Sequence, residues 1–109
     1  MASTAEIEKI LKDMRSAIDA GKFQPISRRK NMNTLAMLGI SWKDAKSELY
    51  TLSAKDYYQG PEIDRDFPKE DLFWVFKKRI EGQVIYIKFK VLYQEDHGVK
   101  LVSFHLDHM

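Results

Sequence analysis

One stretch restricts the fold of this chain more than any other: residues 73–106, FWVFKKRIEGQVIYIKFKVLYQEDHGVKLVSFHL. β-Branched and aromatic residues recur through it, and glycine interrupts it after Glu81 and after His97. The pattern predicts three consecutive antiparallel strands over residues 73–79, 83–93 and 99–106, turned at Glu81-Gly82 and near His97-Gly98. Glycine in each turn tolerates the positive φ that a tight hairpin needs. Successive side chains of a strand point to opposite faces. In the second strand Ile85, Ile87, Phe89 and Val91 therefore share one face, and Tyr86, Lys88 and Lys90 the other. Unbroken alternation in the third strand groups Val102, Phe104 and Leu106 against Leu101, Ser103, His105 and Asp107. One face of this sheet must be buried, and the opposite face should carry Tyr86, Lys88, Ser103 and His105 together.

The preceding residues read as helices. Ile7, Ile10, Leu11, Met14 and Ile18 recur at helical spacing over residues 4–20, with Ser3 or Thr4 as cap and Gly21 as stop. Residues 23–26 are a short extended segment or loop, since Pro25 steers Gln24 away from helix. A second helix over residues 28–38, capped by Ser27, should turn Met32, Leu35 and Leu38 inward. Ser41 and Asp44 form a cap-like pair before a third helix over residues 42–51, whose inner stripe is Ala45, Leu49 and Leu52. Residues 53–58 suggest a short helical turn ended by Gln59-Gly60-Pro61, and residues 62–71 a loop. Three helices followed by antiparallel strands predict an α+β domain: a small antiparallel sheet with the N-terminal helices packed on one face. Without an internal repeat or a linker, residues 1–109 read as one domain.

Composition narrows the function classes. The absence of cysteine removes disulfides and thiolate metal sites. No apolar run reaches transmembrane length, and the N-terminus lacks the cationic head and apolar core of a secretory signal, so a cytoplasmic protein without a membrane partner is expected. The three histidines form no metal-ligand pattern, and no glycine-rich phosphate loop or nucleophile elbow occurs, so neither metal nor cofactor is expected. The net charge of +2 says little by itself; its distribution says more, with Arg28, Arg29 and Lys30 clustered and five further cations within residues 77–90.

Metal-free RNA cleavage is the chemistry these residue types suit best. It needs a base for the 2′-hydroxyl, an acid for the 5′ leaving oxygen, and cations for the charge that builds on phosphorus. His105 has the side-chain type that titrates near neutrality. Tyr86 can donate a hydrogen bond or a proton, and Lys88 and Arg79 can supply positive charge. Tyr57, Tyr58 or Trp74 can stack on an unstacked base, and Arg28 and Arg29 can neighbour a phosphate. Each of these residues also has an ordinary structural use: tyrosine in a packed strand, lysine and arginine on a solvated surface, histidine at a chain end. Trp74 reads as core.

Several short motifs, in order, resemble the MqsR family of messenger-RNA endoribonuclease toxins: LSAKDYY at 52–58, GQVIYIKFKV at 82–91 and VSFH at 102–105. A divergent branch of that family is similar over ISRRKN at 26–31, LGI at 38–40, DYYQGPEIDRD at 56–66 and WVF at 74–76. The resemblance implies a RelE-like fold, messenger RNA as substrate, and a cognate antitoxin, in the familiar branch one with a helix-turn-helix domain. It implies that Tyr86 is the catalytic tyrosine. His105 stands where the familiar branch has a lysine, and Gln59 where it has another. His105 retains proton transfer, whereas Gln59 retains no charge. The alternative is a relative of weakened activity that keeps an RNA- or protein-binding face.

Overall fold

The computed structural model describes residues 1–108. In chain order these form helix α1 (Thr4–Asp19), strand β1 (Phe23–Pro25), helices α2 (Arg29–Leu38) and α3 (Trp42–Tyr50), a 3₁₀ turn (Ala54–Asp56), and strands β2 (Tyr57–Glu62), β3 (Phe73–Ile80), β4 (Gln83–Val91) and β5 (Val99–Leu106). The helices start where the sequence provides caps. Ser3 with Glu6 and Ser41 with Asp44 form reciprocal capping boxes, each satisfying two otherwise unpaired backbone N–H groups. The expected cap at Ser27 does not form; Arg28 occupies that position without a side-chain cap, and Met32 points outward while Leu35 is buried.

β3, β4 and β5 form the expected antiparallel meander, and Glu81 and Gly82 both take positive φ (51° and 76°) to close the first hairpin. In the second turn His97, not Gly98, takes the positive φ (59°). A Cβ on Gly98 would lie 3.1 Å from the Lys22 carbonyl, so packing rather than φ favours glycine there.

The sheet is larger and more mixed than a three-stranded meander. Its order is β1-β5-β4-β3-β2, and β1 runs parallel to β5, so the sheet is not purely antiparallel. Tyr57 to Glu62 is strand rather than the end of a helical turn. Register shifts on either side of Gln59 let this proline-containing segment pair with β3. Gly60, at φ 120°, passes so close that a Cβ would lie 2.9 Å from the Phe73 carbonyl oxygen. β4 ends at Val91, two residues before the expected limit.

The third strand carries the most consequential departure. Phe89 pairs with Leu101 and Lys88 with Ser103, which leaves Val102 as a β-bulge. One extra residue reverses the alternation, so Val99 and Leu101 join Phe104 in the core, and Val102 leaves it. The expected grouping of Leu101 with Ser103 and His105 is thereby corrected.

α1 and α3 cover the apolar face. Ile7, Ile10, Leu11 and Met14 meet Ala45 and Leu49 above Phe76, Ile85, Ile87, Phe89 and Phe104. α2 instead flanks the β5 edge where β1 ends. There the buried Asn31 side chain donates to the Ile26 and Val102 carbonyls (2.8 and 3.0 Å) and accepts from the Phe104 N–H (2.9 Å). One amide thus substitutes for the missing continuation of β1 and closes an otherwise open strand edge. Among the described residues no helix is long and apolar enough to cross a membrane.

Candidate nucleic-acid interface

Opposite the helices, the sheet presents rows of cross-strand neighbours. In one row Lys77 of β3 pairs with Tyr86 of β4, which pairs with His105 of β5. The Tyr86 and His105 rings are stacked, with centroids 5.2 Å apart and planes 17° from parallel. The His105 Nδ1–H donates to the Leu106 carbonyl at 2.9 Å. A carbonyl only accepts, so in the neutral ring the lone pair lies on Nε2. Burial, reinforced by the Glu62 carboxylate, raises the Tyr86 phenol above its ordinary range despite the nearby Lys77 ammonium. Tyr86 therefore stays a protonated donor at neutral pH. Lys77 lies under the exposed Tyr58 ring, 3.7 Å from its centroid, and binds Asp107 at 3.0 Å. That hydrogen bond raises the lysine's pKa and holds it cationic.

The next row, two residues along each strand and roughly 7 Å away, is Val75, Lys88 and Ser103. Lys88 Nζ stands over the Phe73 ring at 4.3 Å from the centroid and reaches Glu62 at 3.7 Å. Beyond it, the fully buried Lys90 binds Asp64 at 2.8 Å and Glu70 at 3.0 Å. These two carboxylates belong to residues 63–72, the connection between β2 and β3. Lys90 thus pins that segment over the sheet. Asp64 also accepts from the backbone N–H groups of Asp66 and Phe67, which fixes the turn that follows it. Between this segment and β4–β5 lies a groove of about 1030 Å³, with Arg28, Lys88, Lys100, Phe67 and Ser103 among its lining. Tyr86 and His105 are not part of the lining; Lys88 joins their row to the groove.

The expected site residues separate into three groups. Tyr86, His105, Lys88 and Tyr58 share one open face, and Gln59, opposite Val75, stands on that face with its amide donating to Glu62 (3.1 Å). Arg79 is on the same face but at the hairpin tip, opposite Val84, donating to the Gly82 carbonyl (3.1 Å). Lys77, which sequence reasoning passed over, takes the place beside Tyr86. Counting back from the Glu81-Gly82 turn would have found it, since that turn sets the register. Arg28 reaches the groove, whereas Arg29 is exposed on the first turn of α2 and outside the groove lining. Tyr57 lies on the helix side: its ring meets Trp74 and Phe76 edge to face, and its hydroxyl donates to the Gly60 carbonyl. Tyr57 is therefore partly buried against the core, on the side of the sheet away from Tyr86 and His105. Among the described residues no cluster of three metal-ligating side chains occurs. Compared with models of known protein families and with curated proteins, the chain matches none.

Proposed function

We propose that this chain is an endoribonuclease that cuts messenger RNA by attack of a 2′-hydroxyl, without a metal in the reaction, as the toxin of a toxin–antitoxin pair in the manner of the MqsR family. The observation that carries the reading is the stacked Tyr86–His105 pair on an open, lysine-bearing sheet face, with His105 Nδ1 tied to a carbonyl. In the reaction, His105 Nε2 takes the proton from the 2′-hydroxyl as its oxygen bonds to phosphorus. The P–O5′ bond breaks, and the leaving 5′-oxygen takes the Tyr86 phenolic proton. The products are a 2′,3′-cyclic phosphate and a 5′-hydroxyl, and proton return from the imidazolium to the phenolate resets the pair. The raised Tyr86 pKa favours the acid role over the base role. Lys77 and Lys88 offer charge to the transition state once phosphate competes with Asp107 and Glu62 for them.

Those same two ion pairs favour the second reading, an RNA- or protein-binding relative of weakened activity, because they partly neutralise the face that a substrate must use. Incubation of the purified chain with a long messenger RNA in EDTA separates the two readings. The first reading expects cleavage with 2′,3′-cyclic ends that falls by at least about a hundredfold in His105→Ala and in Tyr86→Phe. Equal cleavage in all three proteins would remove the site assignment, and a folded but inactive wild type would leave binding alone. In the toxin reading a helix-turn-helix antitoxin co-purifies with the chain and suppresses the cleavage.

A further inference from the structure

We propose that the groove beneath residues 63–72 seats the nucleotide next to the scissile phosphate of a single-stranded RNA, its phosphate against Ser103, Lys100 and Arg28 and its base against the Phe67 ring. The proposal rests on the reading of the open face as an RNA-cleaving site and names where the strand continues. Three independent features support it.

The first is Ser103. It lines the groove, and its hydroxyl has no hydrogen-bond partner among the described residues. No buried side-chain oxygen or nitrogen among the described residues lacks a partner, so this hydroxyl opens to the groove, where it can donate to a phosphate oxygen. The Val102 bulge produces this geometry: it turns Val102 and Ser103 into the groove wall and keeps Leu101 in the core.

The second is the charge balance. Arg28, Arg65 and Lys100 line the groove without an ion pair or side-chain hydrogen bond among the described residues. Of the acids in the lining, Asp64 is held by Lys90 and Glu62 faces Lys88, which leaves Asp66 as the one unpaired carboxylate. An excess of unpaired cations in a concave site favours an anion.

The third is Phe67. The residue is 55% exposed on the pinned segment, and Lys100 Nζ lies 6.0 Å from its ring centroid, at the outer limit of a cation–π contact. The backbone that carries the ring is anchored to Asp64, and the exposed ring leaves a face for a planar group. The Lys88–Ser103 row follows the Tyr86–His105 row directly, so the groove begins one step along the sheet from the reacting phosphate.

A short single-stranded RNA with 2′-O-methyl sugars, which cannot be cut, tests the subsite by fluorescence anisotropy across a salt series. Arg28→Gln and Lys100→Gln should each weaken binding and reduce the slope of log Kd against log salt by about 0.7. Phe67→Ala should weaken binding about fivefold or more, and Lys12→Gln on α1 should change nothing. Adenosine and uridine 5′-monophosphates, used as competitors, should bind far more weakly than the RNA. Mononucleotides binding as tightly as the strand would assign the groove to a free nucleotide and overturn the proposal, as would a wild type that binds no RNA. Unchanged affinity and slope in the three groove variants, with cleavage still dependent on Tyr86 and His105, would sink the subsite and leave the nuclease reading standing. Weakened binding in those variants with no cleavage by the wild type would keep the subsite and remove the nuclease.

Discussion

Replacing Lys90 by methionine removes the cation that pins residues 63–72 over the sheet. The lysine is fully buried, and Asp64, its partner at 2.8 Å, has a side chain only 10% exposed. Taking away one partner of such a pair leaves the other desolvated and uncompensated, a loss of about 3–5 kcal/mol. Two features place the expected value near the lower limit, about 3 kcal/mol. The Asp64 carboxylate keeps its backbone hydrogen bonds from Asp66 and Phe67, and the segment can lift to rehydrate it. Glu70 adds little, because its side chain is 38% exposed and exposed ion pairs contribute roughly 0–1 kcal/mol. Urea denaturation of the wild type, Lys90→Met, Asp64→Asn, Glu70→Gln and the corresponding double variants measures each coupling directly. Coupling of Lys90 to Asp64 should exceed its coupling to Glu70 by more than about 1 kcal/mol. The melting temperature of Lys90→Met should fall by roughly 10–15 °C.

Linkage supplies an independent reading of the same pair. The hydrogen bond from Lys90 holds the Asp64 carboxyl below its ordinary value, so its contribution is present above the unfolded pKa of about 3.9 and is lost as pH falls through the lower folded value. Burial alone would lower the Lys90 pKa, but hydrogen bonds to Asp64 and Glu70 outweigh it. The resulting rise means that the lysine's contribution is complete below about pH 10.4 and lost only as pH climbs through the folded value. The stability of Lys90→Met should therefore approach that of the wild type toward pH 2. A variant as stable as the wild type at pH 7, or couplings of equal size to Asp64 and Glu70, would refute the account of the pinned segment.

Two further substitutions test the architecture. Asn31→Ala leaves the buried Phe104 N–H and Val102 carbonyl unpaired, and should cost about 2–4 kcal/mol. Hydrogen exchange at Phe104 should accelerate well beyond the change in global stability; unaltered protection would show that the β5 edge is closed by something else. Leu101→Ala should cost about 2–5 kcal/mol, whereas Val102→Ala, outside the core, should cost no more than about 1 kcal/mol. Thermal melts in the reverse order would restore unbroken alternation and remove the bulge.

Local chemistry made much of this fold legible in the residues. Ser3 with Glu6 and Ser41 with Asp44 announce helix starts because a cap is satisfied within four residues. The period of two in β4 separates Tyr86 and Lys88 from Ile85 and Ile87 whatever lies beside the strand. The Glu81-Gly82 turn fixes which β3 residues face them. Residue patterns alone thus account for the starts of α1 and α3, the meander, and the shared face of Tyr86, Lys88, Ser103 and His105.

Other features depended on distant parts of the chain. Nothing near Val102 signals a bulge, because the extra residue is accommodated only when Val99 and Leu101 can both reach the core beneath α1. Tyr57 came to pack against the core, and Gln59-Gly60-Pro61 became strand, because β3 offered an edge to pair with. The alternation in β4 showed Lys90 as one more outward lysine; its burial came from Asp64 and Glu70, 26 and 20 residues away. The groove exists for the same reason. Its walls lie far apart in the chain, and side-chain periodicity reports a residue's own face but not what covers it.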